Sequence, residues 1–153
     1  MDSKSTINEL LVSVFDNIMD LEEQVLITGE FKNISKNDMH IINAIGEHQS
    51  RSMTVLAKRL RVTVGTLTIA INNLVKKGYV IRVRSKEDKR VVLISLSEKG
   101  KCAYLKHKEF HDDMVNTITC GLDEEQTQDL ILMLSTIQHF IDQFEDNEIS
   151  QNL

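Results

Sequence analysis

The chain has 153 residues, carries 23 acidic against 18 basic side chains for a formal charge of −5, and is 41% apolar, enough for one buried core. No apolar run approaches the ~18–20 residues of a membrane span, and the opening residues lack the basic and apolar regions of a secretory signal. Cys102 and Cys120 form neither a CxxC pair nor a disulfide framework, so the reading is a soluble protein of the reducing cytoplasm, without membrane contact.

With no proline and six glycines, long helices dominate the expectation. From Ile7 to Val25 apolar residues fall at Ile7, Leu11, Val14, Ile18, Leu21 and Val25, the seam of a helix that packs on another helix. Gly29 and the polar stretch FKNISKND end it. Ser35 with Asp38 opens a helix that Gly46 closes. Ser52 caps the short helix MTVLAKRL, with Val55, Leu56 and Leu60 inward. Thr63 caps the next, whose buried stripe is Val64, Leu67, Ile71, Leu74 and Val75, and Gly78 sits where a left-handed cap belongs. Two short helices about a tight turn form a helix-turn-helix.

After Gly78 the period changes to two. Tyr79–Arg84 and Val91–Leu96 read as paired strands around the polar tip Ser85–Arg90, a wing. Ser97 opens a long helix to about Cys120. Asp123 opens a last one with Leu130, Leu134, Ile137, Ile141 and Phe144 in a seam, and its acidic tail from Asp142 is expected to fray. The fold class is mainly α with a small β wing. A winged helix-turn-helix over 35–97 is flanked by helical dimerisation regions, 1–28 and 98–145, in a single domain over 1–153.

Charge is unevenly placed. Between Arg51 and Arg90 eleven Lys and Arg face two acids, a local +9, so the remainder sums to −14. A basic face on an acidic chain is the footprint of nucleic acid. On the second helix of the pair, Thr66, Thr68, Asn72 and Asn73 offer groups that hydrogen-bond base edges. Gly65 leaves room for close approach beside the cap Thr63, Ile69 shares that outer face, and Lys76 and Lys77 complement the last turn. In the wing and its flank, Ser52, Arg82, Arg84, Lys86, Lys89 and Arg90 are placed to reach phosphates or the minor groove. Seams at both ends are more than a small winged core can cover, so a homodimer on a palindromic duplex is expected.

These residues resemble the multiple-antibiotic-resistance regulator (MarR) family over essentially the whole chain. Asp88-Lys89-Arg90 followed by Leu96-Ser97-Glu98-Lys99-Gly100 is similar to that family's D-x-R…L-[TS]-x-x-G signature. VTVGTLTIAINNLVKKGYVIRVRSKEDKRVV and HKEFHDDMV resemble the fatty-acid-biosynthesis repressor (FabT-type) branch. The resemblance implies a dimeric repressor of fatty-acid synthesis genes with long-chain acyl-acyl carrier protein as corepressor, and an Asp88 that orients Arg90 through an ion pair. It also implies an effector pocket, for which Phe15, Met19, Met39, Ile42, Phe110 and Met114 are the candidate lining. Lys99, Lys101, Lys106 and Lys108 are candidates for docking an acidic carrier protein.

The alternative within the family is a repressor released by a small aromatic acid or an oxidant. Outside it stands a DNA-free scaffold or metal-binding helical dimer, against which the +9 window speaks. His107 and His111 have a spacing that can hold a metal, with Glu109, Asp112 and His40 available but no obvious third ligand, so a polar helix surface is the favoured reading and no metal is assigned. Cys102 and Cys120 read as small buried residues rather than sensors. With no phosphate-cradling loop, GxSxG motif or carboxylate pair in a cleft, neither enzyme activity nor a cofactor is expected.

Overall fold

A computed structural model describes residues 2–26 and 31–151, the side chains of 26 and 145–151 excepted. The expected stop at Gly29 lies outside the described residues. The chain divides into two compact units, Met1–His111 and Asp112–Leu153.

The first unit opens with α1 (Ser3–Leu26). In α2 (Lys36–Ile45) the Ser35 hydroxyl accepts from the Asp38 N–H at 3.1 Å while the Asp38 carboxylate accepts from the Ser35 N–H at 3.0 Å, a reciprocal cap. β1 (Arg51–Ser52) leads directly into α3 (Met53–Arg59), and α4 (Val64–Lys76) follows. Beyond α4, Gly78 has φ +83°, Tyr79 N–H donates to Leu74 O and Gly78 N–H to Val75 O, a Schellman ending that sends the chain into β2 (Val80–Arg84). β3 (Val92–Leu96) returns antiparallel, with Val80 opposite Leu96 and Arg84 opposite Val92.

The sheet has three strands, in order β1-β3-β2, where the sequence reading had two. β1 contributes two residues, Arg51 opposite Ile94 and Ser52 opposite Leu93, too few to show a period.

Ile42, Ile45, Leu56, Leu67, Ile71, Leu74, Ile94 and Tyr79 are fully enclosed and form the centre of the core. Val55, Val64 and Val75, expected inward, are exposed. Each lies just off its helix's buried line, which runs through Leu56 and Ala57 on α3 and through Leu67, Ile71 and Leu74 on α4.

α5 (Glu98–Thr119) is tied to the winged lobe at its start. Ser97 N–H donates to Tyr79 O at 3.0 Å, the Ser97 hydroxyl donates to Gly78 O at 2.6 Å, and that hydroxyl accepts from Gly100 N–H. A Cβ on Gly100 would lie 2.0 Å from Tyr79 O, so only glycine fits this crossing. The Tyr79 hydroxyl donates to Asn33 Oδ1 at 2.7 Å, and Lys99 Nζ sits 4.3 Å above the Tyr79 ring.

The second unit holds the end of α5 and α6 (Glu124–Gln151). Asp123 and Gln126 cap α6 reciprocally, at 2.8 and 3.1 Å. The helix runs on through Asp142 to Gln151, where fraying was expected. The seams remain open. Ile7, Leu11, Val14, Phe15 and Leu21 of α1 are exposed, and so are Leu134, Ile141 and Phe144 of α6. Among the described residues no helix is long and apolar enough to cross a membrane.

Candidate nucleic-acid interface

The turn between α3 and α4 is short and tightly held. Leu60 N–H donates to Leu56 O and Val62 N–H to Ala57 O, and Arg61 takes a left-handed φ of +54°. This reversal brings Thr63 into place as the cap of α4, its hydroxyl accepting from Thr66 N–H at 3.1 Å and lying 2.9 Å from the Thr66 hydroxyl. Leu67, Ile71 and Leu74 turn inward, so Gly65, Thr66, Ile69, Asn73 and Lys76 form the opposite, exposed stripe. Ile69 is 67% exposed, an apolar side chain held in water among polar ones. Among the described residues a Cβ on Gly65 would meet nothing closer than Thr63 Oγ1 at 3.8 Å, so none of them demands glycine there.

Other named residues also bond within the chain. The Thr68 hydroxyl donates to Val64 O at 2.7 Å. Asn72 Oδ1 accepts from the Arg82 guanidinium, which splints the helix to the first wing strand. Lys77 turns onto buried Asp38, with Nζ 2.6 Å from Oδ2, and acts as a structural cation. The Ser52 hydroxyl caps α3 by accepting from Val55 N–H.

The wing tip is organised by two side chains. The Ser85 hydroxyl accepts from the N–H groups of Glu87 and Asp88, and Asp88 Oδ1 accepts from the backbone N–H of Arg90 at 2.9 Å. The ion pair implied between Asp88 and the Arg90 guanidinium is replaced by this backbone bond. A carboxylate two residues back closes a local turn more readily than it reaches the end of a long side chain. Arg84, Lys86, Lys89 and Arg90 are all exposed around that turn. Helix stripe and wing together present hydrogen-bonding groups beside exposed cations, the combination that reads base edges and neutralises phosphates.

The expected effector-lining residues are distributed over several elements. Met39 and Ile42 belong to the core of the winged lobe, whereas Phe15 and Met19 of α1 are 51% and 38% exposed. Phe110 stacks edge-on against His111 at 5.4 Å, and Met114 lies in the second unit. A cavity of about 370 Å³ lies among α2, α3 and α4, lined by residues including His40, Arg59, Arg61, Thr66 and Ala70. Helix periodicity marks which residues turn inward but not which of them leave a void.

The four lysines of α5 divide by position, since residues seven apart share a face and 99 and 101 point about 200° apart. Lys99 and Lys106 lie over the rings of Tyr79 and Phe31. Lys101 pairs with Glu98 at 2.8 Å, and that bond and charge raise its pKa above the ordinary lysine value. Lys108 is exposed on the Lys101 side. Cys102 and Cys120, expected buried, are both exposed; Cys102 lies off the inward line of α5, which runs through Gly100, Ala103 and His107, and Cys120 lies just past the end of that helix.

The histidine pair does acquire a third donor. Neither Glu109, Asp112 nor His40 joins it; among the described residues Glu22 of α1 converges with His107 and His111. Glu22 lies outside any motif around the histidines, and its position inside an acidic helix face concealed it.

Comparison with known proteins agrees with this geometry. Residues 27–105 match a family profile described as "Transcriptional regulator SarA/Rot". The HTH-type transcriptional regulator YpoP of Bacillus subtilis is 32% identical over 60% of this chain and 62% of its own. SarZ of Staphylococcus epidermidis is 31% identical over 66% of this chain and 65% of its own. The aligned region thus spans under two thirds of these two relatives. Over nearly full length, the crystal structure of Streptococcus pneumoniae FabT in complex with DNA is 39% identical, with a TM-score of 0.82, covering 93% of this chain and 99% of that one.

Proposed function

The chain belongs to the SarA/Rot group of MarR-type winged-helix transcriptional regulators, and from that premise we propose that it is a homodimeric repressor of fatty-acid-biosynthesis genes, with long-chain acyl-acyl carrier protein as corepressor. The observation that carries this reading is the likeness to DNA-bound FabT through both the winged lobe and the flanking helices. Each protomer lays α4 into a major groove, so half-sites fall about one turn, ~34–36 Å, apart on a palindrome. The exposed stripe of α4 reads bases, and the wing clamps the backbone. The open apolar seams of α1 and α6 supply the surface that a second copy covers. Acylated carrier protein favours the DNA-competent arrangement and so acts as a corepressor.

A gel shift on a fatty-acid operon promoter tests the whole reading. Acyl-acyl carrier protein should tighten the shift where free fatty acid does not. Promoter binding that ignores acyl carrier protein would remove the corepressor assignment. A second reading, derepression by a small aromatic acid, is favoured by the cavity beside α4, whose lining includes the cationic side chains Arg59 and Arg61. An aromatic acid that loosens the same shift would select it.

A further inference from the structure

Glu22 and the histidines 107 and 111 bring three donor atoms to one point inside the first unit. His107 Nε2 lies 2.5 Å from Glu22 Oε1 and 3.1 Å from His111 Nε2, and His111 Nε2 lies 3.7 Å from that same oxygen. Ligands held 2.0–2.1 Å from a tetrahedral zinc stand about 3.3–3.4 Å apart, and the three separations bracket that value. Glu22 and His107 are nearly enclosed, with side chains 13% and 11% exposed, while His111 opens toward solvent at 39%.

A proton on His107 Nε2 serves Glu22 but leaves His111 Nε2 with that same carboxylate only at 3.7 Å. If His107 Nε2 carries hydrogen, it donates to Glu22 and His111 competes for the same proton. If it carries a lone pair, that pair opposes the carboxylate. One central cation satisfies all three donors. Burial, partly offset by the bond to Glu22, lowers the His107 pKa below the ordinary histidine value. The other ring nitrogen, Nδ1, lies 3.0 Å from the Asn43 amide nitrogen, which is 3.4 Å from Nε2. With that amide turned to present its oxygen, Nδ1–H donates to it and Nε2 is left with the lone pair, the usual outer support of a metal-bound histidine.

We propose that Glu22, His107 and His111 form a site for a divalent transition cation, zinc by the chemistry of its donors, with a fourth position open to water. Two imidazoles and one carboxylate disfavour magnesium and calcium, which take oxygen ligands. The cation would fasten α1, whose apolar seam is exposed, to α5, whose first turn is locked onto Tyr79 by Ser97 and Gly100. The site stands on these contacts alone and does not depend on the fatty-acid reading.

The test uses the full chain, freed of metal by chelation and then titrated with Co²⁺ and Zn²⁺. One equivalent of Co²⁺ should give a saturable visible ligand-field band that Zn²⁺ displaces, and Zn²⁺ should raise the melting temperature. Glu22→Gln and His111→Ala should each weaken binding at least about tenfold, and Asn43→Ala about ten- to a hundredfold. Glu23→Gln, whose carboxylate pairs with Lys36 at 3.1 Å, should change nothing. His111→Ala removes a half-exposed side chain and keeps the test valid if Glu22→Gln fails to fold. Absence of a saturable band, or the same affinity in His111→Ala and the unaltered chain, would overturn the site.

Discussion

Replacing Gly100 with alanine tests how the reading lobe is joined to the long helix behind it. The added Cβ would sit 2.0 Å from Tyr79 O, 3.1 Å from Tyr79 C and 3.3 Å from Leu96 Cβ. The atom it meets is a backbone carbonyl, which no rotamer change can move aside. Relief requires the start of α5 to shift by more than 1 Å, roughly the gap between that approach and van der Waals contact. Such a shift strains the bonds from Ser97 N–H to Tyr79 O and from the Ser97 hydroxyl to Gly78 O. Overpacking costs about 1–3 kcal/mol, and two weakened hydrogen bonds add about 1 kcal/mol each. Alanine returns about 1 kcal/mol through its better helix propensity. The net is a destabilisation of about 2–4 kcal/mol, which for a chain of this size lowers the melting temperature by about 4–16 °C. Urea unfolding followed by circular dichroism measures the loss directly, with tyrosine fluorescence as a second probe. A melting temperature equal to or above that of the parent would refute the reasoning, because propensity would then outweigh the contact.

Three further substitutions separate reading from positioning. Arg90→Ala should weaken binding to every duplex and lower the slope of log affinity against log salt by about one; an unchanged slope in filter binding would remove Arg90 from the backbone clamp. Asn73→Ala should cost about 1–3 kcal/mol on the cognate palindrome and much less on random DNA, and equal losses would make Asn73 a positioning residue. Lys77→Ala should leave the salt slope intact but lower stability by about 1–3 kcal/mol, because Asp38, buried at 5% exposure, loses its cation. A flattened salt slope with unaltered unfolding would return Lys77 to the DNA.

The family resemblance was legible in Asp88-Lys89-Arg90 and Ser97-Glu98-Lys99-Gly100, but the reason for those residues was not. Asp88 serves the backbone of residue 90, and Gly100 yields its Cβ position to a carbonyl 21 residues earlier in the chain. Asn72 shows the same limit. Its amide suits an adenine edge in isolation, yet the folded chain gives its oxygen to Arg82 across the start of the wing.

By itself, the amino-acid order determined the elements and their ends. Ser35, Ser52, Thr63, Ser97 and Asp123 cap the helices, Gly46 and Gly78 take positive φ beyond α2 and α4, and the change of period after Gly78 makes the wing. These signals are local, because a cap bonds three residues ahead and a period repeats within a few turns. Only the tertiary structure decided what meets across distance. It added the two-residue strand at Arg51 and Ser52, turned Lys77 onto Asp38, sent Met39 and Ile42 into the core, and brought Glu22 to His107 over 85 residues of sequence. Such pairings leave no periodic trace in the chain, since they arise from how the elements pack against one another and not from the spacing within any one of them.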